Sequence, residues 1–348
     1  MACPDKFRGT ASAAEVAAAI EAGVRVHVGD AAEVMCLPTA DGGEGTLEAL
    51  GGPNRTSLVT GPLRERIEAA WRLDGEVAIV EMARASGLLL AGGAEGNDPL
   101  AATTAGTGEL IAEAVAGGAR RVIVGVGGSA TTDGGLGALD AMAPLARLAG
   151  VSVVVACDVR TGFCDAARIF GPQKGATGPQ VKLLARRLER LVDLYIERYG
   201  VDVSEMARAG AAGGLAGGLA AGLRAELAEG FEVVATEVGL AEAIEEADLV
   251  ITGEGRLDAG SFDGKVVGGV LALATEAGVP AGVIAGAREP GIDLAAGLRT
   301  SDQAPVSDLV VLTEQYGTER SMSDTLSAVS EAAAGLTAGF CSGGGVDG

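Results

Sequence analysis

The sequence predicts a two-domain α/β protein in which both ends of the chain build one domain and the middle builds the other. Three observations carry this expectation. Short β-branched runs alternate with alanine-rich stretches of helical length, the rhythm of alternating strands and helices. Between Gly51 and Ala105 that rhythm gives way to segments 58–73 and 77–82, broken by Gly-Pro and Asp-Gly turns, which reads as antiparallel hairpins. A chain of 348 residues suits two domains better than one or three, at ~150 residues each.

The elements follow in order. The chain opens Met-Ala-Cys-Pro-Asp, the end of a strand running straight into a ligand loop. Most of a ~5-residue strand is missing there, so either the true start lies upstream or the first strand is a stub. Buried strands are expected at 34–37, 77–81, 121–125, 151–156, 249–252, 281–285 and 309–312. Most end in glycine, aspartate or threonine, at the carboxyl ends where α/β sheets place ligands. A long polar helix is expected at about 178–199 and an alanine–glycine helix near 210–227. The expected boundaries are 1–51 with 232–340 for the discontinuous domain, 52–231 for the inserted one, and 341–348 as a glycine-rich disordered tail.

Composition narrows the function. Lysine and arginine total 26 against 47 acidic residues, a net charge of −21, and no basic run offsets it, so nucleic acid and anionic membrane are not expected partners. Hydrophobic residues make up 48% and aromatics only 3%, so the core must be built from alanine, valine, leucine and isoleucine. Five scattered cysteines form no CxxC pair, which indicates neither a disulfide framework nor a zinc site. No apolar run reaches ~18 residues and no signal pattern opens the chain, so the cytoplasm is expected. The single histidine, His27, cannot anchor a triad or a metal cluster.

Five segments combine glycine with fixed polar residues: Asp5-Lys-Phe-Arg-Gly-Thr10, Asp41-Gly-Gly-Glu-Gly-Thr46, Gly125-Val-Gly-Gly-Ser-Ala-Thr-Thr-Asp-Gly-Gly135, Phe170-Gly-Pro-Gln-Lys-Gly-Ala176 and Thr252-Gly-Glu-Gly-Arg-Leu-Asp258. Glycine allows close backbone approach, and consecutive N–H groups can then converge on an anion. A strand followed by Gly-Gly-Ser and a helix start aims such amides at a phosphate. Any one loop could be structural; five, each with a carboxylate or a cation, favour a nucleotide or phosphate site. Only four lysines occur, and Lys6, Lys174 and Lys265 sit in glycine-flanked polar segments, whereas Lys182 lies among helix arginines. Lysine is the compact charge suited to phosphate. Known fingerprints fail: Gly260–Lys265 is one residue short of a P-loop, Ala130 breaks GxGxxG, and no kinase HRD or DFG set occurs. A Rossmann dehydrogenase is therefore disfavoured.

At these five segments the chain resembles the bacterial glycerate kinase family, which is distinct from P-loop and sugar-type kinases. Asp5–Thr10 is similar to the family's opening motif, with Arg8 for Lys, and Ala-Asp-Gly-Gly-Glu-Gly-Thr occurs verbatim at 40–46. Glu81-Met-Ala with Ser86-Gly-Leu, Gly106-Thr-Gly-Glu-Leu-Ile111, 127–135 with Thr132 for Asn, 156–159, 170–176, 210–215, 251–258 and Gly264-Lys265 continue the register, over about residues 3 to 290. The resemblance implies a flavodoxin-like parallel-sheet domain with an inserted mixed α/β domain resembling the restriction-endonuclease fold. It also implies ATP- and Mg²⁺-dependent phosphorylation of D-glycerate, at the 2-hydroxyl in typical bacterial members. The chain departs from the pattern in its leading strand, in a shortened segment between 135 and 151, and at Arg160-Thr161-Gly162-Phe163, where the family has Asn-Pro-Leu. The last motivates an alternative hydroxy-acid substrate, and the first an inactive member.

Phosphoryl transfer needs in-line placement, charge neutralisation and an acceptor for the hydroxyl proton. ATP phosphates are assigned to Gly127, Gly128, Ser129, Gly253, Glu254, Gly255 and Lys265, with Lys174 and Arg256 neutralising charge. Lys6 or Arg8 is assigned to the glycerate carboxylate, with Asp5 and Asp158 beside it. Asp5, Asp41, Asp133 and Asp158 stand open as base or Mg²⁺ ligands; Asp133 is chosen as base and Asp41 or Asp158 for the metal, while turn or cap roles stay open for each. Glu44 and Glu254 could instead brace loops by hydrogen bonds. Homo-oligomerisation is left open.

Overall fold

Strand signals in the middle of the chain resolve into one sheet. In the computed structural model, which describes residues 1–29, 32–262, 264–291 and 306–343, these strands are β1 (Arg55–Thr60), β2 (Arg66–Asp74), β3 (Val77–Glu81), β4 (Arg121–Gly125), β5 (Ser152–Cys157) and β6 (Glu226–Glu229). Their spatial order is their chain order. β1–β2 and β2–β3 pair antiparallel, as the Gly-Pro and Asp-Gly turns require, and β3–β4, β4–β5 and β5–β6 pair parallel. Parallel strands must be covered on both faces, and β4 accordingly reads Val122, Ile123, Val124, all fully buried.

The helix Gly178–Tyr199 supplies part of that cover. Thr177 and Gln180 form a capping box at its start, and it stops at Gly200, whose φ of 65° is left-handed. Leu184, Leu188, Leu191 and Tyr195 recur every three to four residues and are all buried. The alanine–glycine stretch breaks up more than its composition predicts. A 3-10 turn, Ala211–Gly214, precedes the helix Leu215–Leu223, and the left-handed Arg224 ends it. Residues 226–229 lie beyond the end of this helix and pair with β5, an edge position no local signal announces.

The remaining strands are β7 (Val250–Leu257), β8 (Ala281–Arg288) and β9 (Val306–Val311), parallel in that order. The opening residues extend this sheet. The Met1 ammonium donates to Leu249 O at 2.7 Å, Cys3 N to Ile251 O at 3.0 Å, and Asp5 N to Gly253 O at 2.8 Å. On the other side Ala2 N donates to Met35 O at 2.8 Å, Leu37 N to Ala2 O at 2.8 Å, and Thr39 N to Pro4 O at 3.0 Å. The short leading segment is thus bonded on both edges, with 35–39 outside it, and spatial order in this sheet becomes second, first, third, fourth, fifth. Segment 34–37, expected as a regular strand, appears instead as this bonded extended run.

Alternation then sorts side chains to two cores. Ala2, Ile251 and Ile284 join Val16 and Ile20 of the helix Ala13–Val28 and Ala328, Val329 and Ala332 of the helix Thr325–Gly343. Their neighbours Cys3, Val250 and Val283 turn the other way, onto Val266, Val270 and Leu271 of the helix Val266–Ala277.

Contacts divide the chain into a unit Gly42–Gly230 and a unit built from Met1–Asp41 with Phe231–Gly348. The first crossing falls ten residues before the expected residue 51. The reason is local: Gly42 O accepts from Val126 N at 3.0 Å and Gly45 N donates to Glu81 at 2.8 Å, which ties the 42–49 segment to β3 and β4. The last helix carries through Cys341 to Gly343, where a disordered tail was expected; the expectation for 344–348 lies outside the described residues.

Candidate active site

In the unit 42–230 the chemistry gathers at the carboxyl end of β4. A Cβ on Gly127 would stand 2.6 Å from Gly43 Cα and 3.0 Å from Glu44 N, so two backbone loops meet here with no room for a side chain. Gly128 is left-handed, with φ of 66°. The loop is latched to 86–88, Leu88 N donating to Gly128 O at 2.8 Å and Ala130 N to Ser86 O at 3.0 Å. Among the described residues, the N–H groups of Gly127, Gly128 and Ser129 donate to no other atom of the chain. Three consecutive unspent amides bent by a left-handed residue form a concavity suited to an anion.

Two carboxylates brace this region through hydrogen bonds. Glu81, 1% exposed at the end of β3, accepts from Gly45 N at 2.8 Å and from Arg84 Nε at 3.4 Å. Arg84 also bonds Glu48. Burial raises the Glu81 carboxyl above its ordinary value, opposed by the Gly45 N–H and the Arg84 charge. Asp133 is filled. Its Oδ2 accepts from Thr104 N at 2.8 Å, Thr104 Oγ1 at 2.9 Å and Gly137 N at 3.3 Å, and its Oδ1 from Gly135 N at 3.1 Å. Asp133 thereby bridges the starts of the helices Ala105–Ala116 and Leu136–Ala141.

Lys174 is sealed, at 3% exposure. Its Nζ donates to Thr131 O at 2.7 Å and lies 5.9 Å from the Phe170 ring centroid. Asn97 works beside it, Nδ2 donating to Ala130 O at 3.0 Å and to Lys174 O at 2.8 Å. Burial pushes the Lys174 ammonium down to about 7, with the Asp133 charge opposing the fall. Because the folded value lies below the unfolded ~10.4, the unfolded chain binds more protons between them and stability rises with pH over that window. Lys174→Met should lose this rise, so the melting-temperature difference, wild type minus variant, should grow more positive from pH 7 to pH 10.

Asp158 follows β5 directly and is exposed. The neighbouring Arg208 is left-handed, with φ of 70°, and its guanidinium donates to Cys157 O and to Glu229 Oε2, each at 3.0 Å. Arg160 stands 4.0 Å from the same Glu229.

In the other unit, Asp5 ends the leading strand. It accepts from Lys6 N at 2.7 Å, and Lys6 Nζ lies 3.6 Å away. Burial pushes Asp5 up to about 6, with Lys6 opposing and Asp41 adding to the rise. Arg8 is exposed. Gly253, Glu254 and Gly255, expected in a phosphate loop, lie instead inside β7, in register with β8. A Cβ on Gly253 would meet Ile284 O at 2.0 Å, so this glycine serves strand packing. Arg256 is exposed and 3.3 Å from Glu289; Lys265 immediately precedes the helix Val266–Ala277, 3.8 Å from Asp258. Glu81, Asn97 and Arg208 also take part, and the sequence alone assigns none of them a role. Only Glu81 had a local signal, a glutamate closing an otherwise apolar strand.

Residues 1–145 and 142–338 match the sequence profile of the Glycerate kinase family. A protein from Escherichia coli (strain K12) named Glycerate 2-kinase is 41% identical over 320 residues, covering 81% of this chain and 84% of that protein. The Glycerate kinase of Haemophilus influenzae is 40% identical over 328 residues, covering 84% and 86%. The crystal structure described as glycerate kinase 2 from Salmonella typhimurium LT2 matches with a TM-score of 0.83 and 35% identity, over 99% of this chain and 98% of that one. Fold and relatives together define a phosphotransferase acting on an alcohol group, on mixed α/β architecture with parallel-containing sheets. The chain belongs to the glycerate kinase family. Among the described residues no helix is long and apolar enough to cross a membrane.

Proposed function

We propose that this chain transfers the terminal phosphoryl group of ATP to the 2-hydroxyl of D-glycerate, in the cytoplasm. The observation that carries the reading is the run of unspent N–H groups at Gly127, Gly128 and Ser129 after a parallel strand, in a chain about 40% identical to glycerate kinases. Such amides cradle phosphate oxygens without any basic side chain. In the other unit the exposed Arg8 and the Asp5-paired Lys6 are the cations offered to the glycerate carboxylate, and Arg256 and Lys265 those offered to phosphate. We assign Lys174 and Asp133 to holding the 127–137 loop in shape rather than to contact with substrate, because their polar atoms are already engaged.

Magnesium takes few protein oxygens when it travels with nucleotide phosphates. Asp41, half-buried after the 35–39 segment, and Asp158, exposed after β5, are each candidates of the right chemistry, a hard carboxylate at a strand's carboxyl end. Bound there, the ion would neutralise phosphate charge. The reading also takes the 2-1-3-4-5 sheet as flavodoxin-like and the 42–230 unit as a domain inserted into it.

An ADP-release assay with D-glycerate, its product position read by phosphorus NMR, tests the proposal. Turnover to 2-phosphoglycerate is expected. A panel of other hydroxy acids turned over while glycerate is refused would overturn it.

A further inference from the structure

The reaction needs a proton acceptor, and the aspartates are poorly placed to be one. Asp133 is filled by four donors, and Asp5 is engaged by Lys6. Asp41 and Asp158 are the metal candidates. Glu254 remains. It sits in the carboxyl-terminal half of β7, beside the leading strand, where the order of the sheet reverses and α/β folds place their ligands. Its Oε1 is buried and has no hydrogen-bond partner among the described residues. Leaving such a bond unmade is costly, and a fold that keeps one at a strand's ligand end invites a functional explanation.

We propose that Glu254 is the general base of the phosphoryl transfer. Its carboxylate takes the proton of the glycerate 2-hydroxyl as the oxygen–phosphorus bond forms and the bond from the terminal phosphorus to the ADP oxygen breaks; the proton passes to water after product leaves. The groups facing it are Asp5 from the leading strand, Asp258 and the Ser261 hydroxyl from the turn after β7, and Lys265 at the start of the following helix. Burial pushes Glu254 up to about 7; Ser261 and Lys265 oppose the rise, and Asp5 and Asp258 add to it. A base works best when its affinity for protons lies near working pH.

This assignment rests on the glycerate kinase reading. The test is Glu254→Gln, which keeps the shape and removes the proton acceptor. A fall in kcat of ~10²-fold or more is expected, with KM for ATP and D-glycerate within ~3-fold of wild type. Wild-type kcat should rise with pH toward neutrality as the carboxyl deprotonates, and that acid limb should vanish in the variant. Glu254→Asp, which keeps a carboxylate, should recover part of the rate and the acid limb. Near wild-type kcat in Glu254→Gln, or an acid limb that survives there, overturns the assignment. So does a loss of rate in both variants that tracks a loss of thermal stability. Wild-type protein that turns over no D-glycerate overturns instead the reading on which the base rests.

Discussion

Gly127→Val is expected to weaken ATP binding sharply while leaving most of the fold in place. A Cβ at this position would stand 2.6 Å from Gly43 Cα, 3.0 Å from Glu44 N and 3.2 Å from Gly43 C. All three are backbone atoms, so no flexible side chain can move aside. The facing loop is itself held, Gly42 O by Val126 N and Gly45 N by the buried Glu81. The strain must therefore be relieved by displacing 127–129, whose free amides are the proposed phosphate cradle. Positioning errors of ~1 Å cost ~10²-fold in rate, and kcat/KM for ATP should fall by at least that much. Isothermal titration with a non-hydrolysable ATP analogue, alongside steady-state kinetics, checks this. Gly178→Ala is the control: an added Cβ meets nothing within 4 Å, and activity should be unchanged.

How much of this was legible in the sequence divides along the range of the interactions. The helix Gly178–Tyr199 lies where the sequence places it, at about 178–199, because its cap, its apolar stripe and its terminal glycine are all local. The hairpins and the buried strands β3 and β4 were equally plain, from turn chemistry and β-branched runs. The leading strand was not: its pairing on both edges depends on segments 35–39 and 249–253, far away in sequence, and three or four residues carry no periodicity. Gly253 and Gly255 are ambiguous for a related reason. Glycine in a phosphate loop and glycine relieving a close strand approach look identical until the neighbour, here Ile284 O or the Phe7–Arg8 backbone, is known.

The candidate site shows the same division. Motif residues were found as positions, and their roles were open because role is a matter of partners. Lys174 reads as a phosphate cation by its glycine neighbours, yet the fold buries it against the Thr131 carbonyl. Asp158 stands out in the sequence, but Arg208, which ties Cys157 to Glu229 beside it, lies fifty residues on in an unremarkable arginine–glycine stretch. Asn97 likewise holds two carbonyls, Ala130 and Lys174, that only the folded chain brings together.

Asp133 offers the sharpest separation of a supporting role from a chemical one. As a clamp, it gathers Thr104 N, Thr104 Oγ1, Gly135 N and Gly137 N onto one buried carboxylate. Asp133→Ala strands all four donors where water has little access. A hydrogen bond to a charged acceptor is worth ~1.5–3 kcal/mol, and the unsatisfied donors add their own cost, so a loss of about 3 kcal/mol or more is expected. That corresponds to a fall in melting temperature of ~6 °C or more. Asp133→Asn keeps one accepting oxygen but turns an NH₂ toward the remaining donors, and it should be destabilised nearly as much. A base would behave otherwise: Asp133→Asn would lose ~10²-fold or more in kcat with an unchanged melting temperature. Thermal denaturation measured on both variants beside kcat therefore decides the role. Full stability with lost turnover would return the proton-accepting function to Asp133 and remove it from Glu254.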